Sequence, residues 1–280
     1  HHGLDQEVGL DLDVVGLANK DATTIAFNAG DVDMIVTDWI WTSRQRDAGA
    51  DCTFVPYSVA AGSVMVHPNS GIDSLIDLEG KKIGVAGSPI DKSWLLLRAY
   101  SIKTFGKDIE KIVKPIYAAP PLLNEKFKQK EFDAVLNYWN YTARLRAAGM
   151  KELIKVQDLL PGLGVPGRLP LIGYVFGETW GRINSDTLGR FFHASRKARQ
   201  IMLQSDAEWE RLRPLTKAES DSTLMALRDG YRDGAPKKFD ASQAEAIHSA
   251  FEIVAKYGGR RLVGRSDKLA LGTLWTGEAY

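Results

Sequence analysis

The sequence predicts an α/β protein with mixed, mostly parallel sheets covered by helices on both faces, and three observations carry that prediction. Up to residue 176, short apolar or alternating runs take turns with stretches of helical period. Residues 82–156 read as strand–helix–strand three times over, and such crossovers return a chain parallel to itself. From residue 185 onward the pattern is mainly helical.

Taken in order, residues 10–15 alternate as a strand does, and 21–28 form a helical stretch closed by Gly30. Residues 32–37 (VDMIVT) are a short apolar run of the kind a buried strand shows, ending at polar Asp38. A helix follows through Arg46 and is stopped by Gly49. Strands are expected at 52–59 and 63–66, separated by Ala60-Ala61-Gly62, and a helical turn at 73–78 ends at Gly80. The clearest unit then begins: strand 82–85, turn Gly87-Ser88-Pro89, and helix 91–105 with Trp94, Leu95, Leu97 and Tyr100 apolar. Strand 112–118, helix 122–130, strand 132–136, helix 138–148 and strand 153–156 continue it. Residues 161–170 are a Gly/Pro-rich connector before a strand at 171–176. Helices are expected at 185–203, 208–212, 220–231 and 241–257.

Composition excludes several classes. With 36 basic and 35 acidic residues the net charge is +1, so no broad field attracts nucleic acid or a membrane surface. The longest apolar runs, such as 169–176, are far too short to span a bilayer as a helix. One cysteine, Cys52, excludes an internal disulfide and a Cys-rich metal site. His1, His2, His67, His193 and His248 show no metal-ligand spacing beyond the adjacent pair at the start, so no metal is expected; His67, beside Pro68, reads as a loop residue. Residues 162–167 (GLGVPG) match the letters of a dinucleotide fingerprint but fail on context, with no buried strand leading in and Pro166 where a helix should open. The start at His1-His2-Gly3 leaves a cytoplasmic protein or a secreted one whose leader is gone.

Three segments carry a resemblance: Phe27-Asn28-Ala29-Gly30-Asp31-Val32-Asp33-Met34-Ile35; Ile72-Asp73-Ser74-Leu75-Ile76-Asp77-Leu78-Glu79-Gly80-Lys81-Lys82-Ile83-Gly84-Val85, leading into Gly87-Ser88; and Phe132-Asp133-Ala134-Val135-Leu136-Asn137-Tyr138-Trp139. In this order they resemble the two-lobed type II periplasmic-binding-protein fold, within it the nitrate/sulfonate/taurine (NMT1-like) family of ABC-importer receptors. Gly272-Thr273-Leu274-Trp275 resembles that family's ending. The resemblance implies lobe one from residues 1–80 plus 171–280, lobe two from 81–170, and hinges near Lys81 and Leu171 across which a ligand closes the lobes. It also implies a strand and a helix ahead of the segment in which this chain starts, so the first strand of lobe one is expected to be missing.

Open α/β sheets bind ligands outside the carboxyl ends of their strands, and that rule selects the candidates. Thr37-Asp38-Trp39 follows the strand at 32–37; Asp38 there either caps the next helix or meets a ligand. Trp39 and Trp41, two apart on a helix, point apart, and Trp39 is assigned to the cleft. The turn from Gly87 to Ser93 opens a helix, where free N–H groups and the dipole favour an anion. Ser88 adds a hydroxyl and Lys92 a charge, with Asp91 and Ser93 alongside; the alternative is that Asp91 or Ser88 merely caps the helix and Lys92 is solvated. The resemblance places this turn in the cleft. Asn137, Trp139 and Asn140, around Tyr138, supply amides and a flat face, although Trp139 fits equally well between helix and sheet. Ser63 and Tyr174, near the expected hinges, complete the ligand-binding set, whereas Trp180 and Trp209 are assigned to packing.

The expected function is therefore the substrate-binding component of an ABC import system: periplasmic, monomeric, without enzymatic activity or cofactor, and partnered by the transporter's membrane permease. The ligand is expected to be a small anion, either a sulfonate or a planar aromatic carboxylate such as pyrroloquinoline quinone. The second choice rests on Trp39, Trp41, Trp94 and Trp139 near strand ends. A cationic ligand stays open because Asp38 and Asp91 can both face the cleft. Two other functions stay open. One is an enzyme on the same fold, of pyrimidine or menaquinone-pathway type, for which only Asp38 or Asp91 offers a base. The other is the effector-binding domain of a regulator, with any DNA-binding part on a partner chain.

Overall fold

A computed structural model describes residues 1–165, 168–236 and 241–277. A short helix α1 (Leu4–Glu7) precedes α2 (Lys20–Ala29), which opens on the Asn19 side chain accepting the Ala22 N–H and closes at Gly30 with φ 80°. Then come β1 (Met34–Asp38), α3 (Trp39–Asp47), β2 (Thr53–Ser58) and β3 (Ser63–Val66). The next stretch runs β4 (Lys82–Ala86), α4 (Lys92–Phe105), α5 (Ile109–Ile112), β5 (Lys114–Ala118), α6 (Pro120–Lys128), β6 (Ala134–Asn137), α7 (Trp139–Ala147), β7 (Lys151–Lys155) and α8 (Val156–Gly162). After β8 (Ile172–Phe176) the chain is helical: α9 (Glu178–Ile183), α10 (Ser185–Gln204), α11 (Asp206–Thr216), α12 (Asp221–Asp233) and α13 (Ala241–Val263), the last kinked at Gly259. Of the expected connector, residues 161–162 belong to α8, and Pro166 and Gly167 lie outside the described residues.

Two mixed layers result. The smaller sheet has the order β1-β8-β2 and is antiparallel throughout. The larger has the order β5-β4-β6-β3-β7; β4 is parallel to β5 and β6, whereas β3 runs antiparallel to β6 and β7. The parallel share is confined to the crossovers read from residues 82–137. One consequence is a revised boundary. All the ladder partners of β3 are in the larger sheet, so the chain first changes sheets between Ser58 and Ser63, not near Lys81. Gly62 makes that passage possible, since with φ 118° a Cβ there would lie 2.0 Å from the Asn137 carbonyl oxygen.

The expected strand at 10–15 is absent, and Leu12, Val14 and Val15 are exposed. A strand forms only against a neighbour's edge. Among the described residues β1 pairs with β8 alone, and residues 10–15 do not join its other edge, where Val36 is half exposed. The edge of β2 is treated differently: the Phe54 N–H donates to Thr273 O at 2.8 Å, and the Trp275 N–H donates to Phe54 O at 3.0 Å.

The core is continuous across both layers. Ile35, Trp39 and Phe54 of the smaller layer join Ile83, Val85 and Trp94 of the larger one, with Phe251 of α13 among them. The late helices are shared out as well. Helix α10 packs beside α1 and the smaller sheet, whereas α12 lies chiefly on α7 and α13 chiefly on α4, both of the larger layer.

Candidate functional site

The carboxyl end of β1 meets the start of α4 through one carboxylate. Asp38, 1% exposed, caps α3: its Oδ1 accepts the Trp41 N–H at 2.8 Å. Its Oδ2 accepts a hydrogen bond from Lys20 Nζ at 2.9 Å and faces Lys92 Nζ at 3.6 Å. Burial, the largest influence, pushes this carboxyl up; the two ammonium groups and the Trp41 N–H outweigh it and hold the pKa at about 2. Burial likewise favours neutral Lys20, but Asp38 and Asp91 keep its pKa raised. Asp38 is therefore ionised and Lys20 cationic. The cap reading and the pocket reading of Asp38 do not compete, because its two oxygens face different groups.

Across the gap, Asp91 opens α4 by accepting the Ser93 N–H at 2.8 Å on Oδ1, and its Oδ2 accepts the Tyr138 hydroxyl at 3.0 Å. Burial first and the Asp91 charge second raise the Tyr138 pKa, so the phenol stays a donor. Gly87 has φ 84°, and a Cβ on it would lie 3.0 Å from the Tyr138 hydroxyl; the turn must come this close. Lys92 follows, its side chain 10% exposed, and among the described residues its ammonium has no partner within hydrogen-bonding distance.

The other candidates divide. Thr37 and Ser93 are buried beside this cluster in sequence, and their hydroxyls have no hydrogen-bond partner among the described residues. Ser88 is half-buried in the turn, where its Oγ accepts the Ile90 N–H at 3.4 Å. Asn137 is wholly engaged inside the larger layer: its Nδ2 donates to Pro120 O and Asn124 Oδ1, both at 2.9 Å, and its Oδ1 accepts the Tyr138 N–H. Asn140 follows on α7, half-buried. Ser63 is buried and donates to Glu152.

Trp39 needs correction. It is fully buried, donates from Nε1 to Pro170 O at 3.0 Å and packs its ring near Phe251, because α13 covers that end of α3. Trp94 is also fully buried. Trp139 packs on α12 against Tyr231 and Gly230, between two helices rather than between helix and sheet. His67 lies in the loop after β3 as expected, half-buried and stacked on Phe127 at 4.3 Å. Two participants went unselected in the sequence. Lys20 stood one residue ahead of the expected helix, with Asn19 as the cap signal beside it, and Tyr138 stood between chosen neighbours.

Tyr174 belongs elsewhere. It lies on the α10 side of the smaller sheet, its hydroxyl 2.7 Å from Ser195 Oγ, and burial pushes its pKa up to about 12. It helps line a cavity of about 460 Å³ together with Tyr57, Phe191, Arg199 and Tyr231, closed on one side by the first residues of the chain. Arg199 lies over the Tyr57 ring at 4.6 Å and has no carboxylate partner among the described residues. None of Asp38, Lys20 and Lys92 lines this cavity.

With this geometry in place, the chain can be set beside known proteins. The family model described as NMT1/THI5 like matches residues 1–208. No curated protein matches the chain. Among solved structures, it is similar to the alkanesulfonate-binding protein SsuA of Xanthomonas axonopodis pv. citri bound to MOPS, with 16% identity and a TM-score of 0.75 over 97% of this chain and 90% of that one. The periplasmic aliphatic sulphonate binding protein SsuA of Escherichia coli matches with 20% identity and a TM-score of 0.65, over 91% and 80%. A cysteine-to-serine variant of DSZB in complex with biphenyl-2-sulfinic acid matches with 13% identity and a TM-score of 0.62, over 96% and 89%. At these identities the likeness is one of fold, the type II periplasmic-binding-protein fold.

Proposed function

This chain belongs to the NMT1/THI5-like family, and on that footing we propose that it is the solute-capturing component of an ABC import system, holding a small anion between its two layers. The observation that carries this reading is Lys92: an ammonium at the start of α4, facing the smaller sheet's Asp38, with its hydrogen-bonding capacity open. Two relatives in fold are sulfonate-binding proteins, which makes a small sulfonate the leading ligand class. The same relationship supports a periplasmic location and a membrane permease as partner.

The planar aromatic ligand loses its support between the layers, since Trp39 and Trp94 are core and Trp139 is covered by α12. A specific observation gives an aromatic anion a different seat, the tyrosine-walled cavity with Arg199. An enzyme on this fold is the remaining alternative, and the DSZB variant is among the structures of similar fold. A thiol mechanism has nothing to use here: Cys52 is buried, and burial raises its pKa to about 11.

The test is calorimetric titration of the intact chain with methanesulfonate, taurine, benzenesulfonate and acetate, followed by mass spectrometry of the recovered compound. One-to-one binding of a sulfonate that returns unchanged is expected. Binding of none of the four, or conversion of the one that binds, would end the receptor reading.

A further inference from the structure

We propose that Asp38 is an internal anion, a carboxylate that holds Lys92 and gives it up, though not Lys20, to the ligand's own anionic group. The proposal rests on the receptor reading above and concerns how that site is held ready before a ligand arrives.

The distances set the order of events. Asp38 is anchored twice, to the Trp41 N–H at 2.8 Å and to Lys20 Nζ at 2.9 Å, and its side chain is 2% exposed. Neither anchor belongs to the larger layer. Lys92 does, and at 3.6 Å it is attracted to the carboxylate without a hydrogen bond. Two ammonium groups thus share one buried carboxylate, and the looser partner is the one across the gap. Of the other carboxylates nearby, Asp91 is engaged on both oxygens by the Ser93 N–H and the Tyr138 hydroxyl, and Asp21 acts on Lys20, not on Lys92. An arriving anion therefore finds one cation it can take without undoing either helix cap. What it must overcome is the existing attraction and its own repulsion from Asp38. Asp38 accordingly lowers affinity for anions while preventing Lys20 and Lys92 from facing each other as unneutralised like charges in a buried place.

The test is a thermodynamic cycle on the intact chain, with methanesulfonate as probe and calorimetry as readout. It uses Asp38→Asn, Lys20→Met and the double variant. Asparagine keeps an oxygen for the Trp41 N–H, so the cap survives while the charge goes. Asp38→Asn is expected to bind the probe about tenfold more tightly, the effect of removing one competing charge a few ångströms away. Lys20→Met is expected to bind it roughly fivefold more weakly, because Asp38 then turns wholly to Lys92, and to lose that effect in the Asp38→Asn background. Unchanged or weaker binding by Asp38→Asn overturns the proposal, and so does a Lys20→Met effect of equal size in both backgrounds. Should Asp38→Asn fail to fold, Asp38→Ser, whose hydroxyl can still accept the Trp41 N–H, takes its place in the cycle with the same outcomes. Wild-type protein that binds the probe without any gain in Asp38→Asn removes this proposal and leaves the receptor reading intact. Failure of wild type and variant alike to bind it removes both.

Discussion

The gap between the layers and the cavity on the outer face of the smaller sheet are built from different side chains. The gap has charges and few accessible rings: Lys20, Lys92, Asp38 and Asp91, with the nearby tryptophans built into the core. The cavity has more rings, Tyr57, Tyr174, Tyr231 and Phe191 around Arg199, with Asp5, Glu208 and Arg211 also on its wall. The difference teaches that aromatic residues near strand ends are not by themselves a ligand wall. Whether a ring faces a guest depends on which helix lies over it, and α12 and α13 lie over the rings at the gap.

The comparison breaks first if Trp39 serves the gap after all. As a core residue, Trp39→Ala should cost about 3–5 kcal/mol of stability in urea unfolding. Lost anion affinity at full stability would return the indole to the site. Next, Lys92→Met should remove about 1.5–3 kcal/mol of methanesulfonate binding, the worth of a charged hydrogen bond. Arg199→Met should change it by less than about 0.5 kcal/mol. Exchanged effects would move the anion into the cavity.

A smaller effect is the acid response of the gap. The Asp38 pKa is about 2 when folded, below the unfolded value, so its ionised form stabilises the native state. That contribution, about 2 kcal/mol, is complete above pH ~4 and disappears as the pH falls through about 2. The stability difference between wild type and Asp38→Asn should shrink over that interval; a constant difference would place the carboxylate outside the Lys20–Lys92 pair. Smallest is Tyr174→Phe, which gives up the bond to Ser195 and should cost about 1 kcal/mol without altering methanesulfonate affinity.

Much of the larger layer was legible because its signals are local. Gly87 to Ser93 between an apolar run and a helical period fixes β4, its turn and α4, and the same logic finds β6 and α7. What was not legible depends on partners far along the chain. Asp38 could be located as a cap, but nothing near it announces Lys20 or Lys92, which reach it from two other helices. Trp39 looked free because residue spacing on α3 says nothing of Phe251, more than two hundred residues later. The passage between layers was misplaced for a similar reason. Residues 63–66 read as a strand in either sheet, and only their pairing with β6 and β7 assigns them. The alternation at 10–15 pairs with no strand among the described residues, and local pattern alone does not make a ladder.

The return of Thr273–Trp275 to β2 has a practical side for anyone handling this protein. Clipping the chain after α13 would bare the flank of β2 that Thr273–Trp275 now covers, and an uncovered strand edge invites pairing with another molecule. Purification tags and fluorophores are therefore better carried on the solvent side of α10 or α11 than on a shortened carboxyl end.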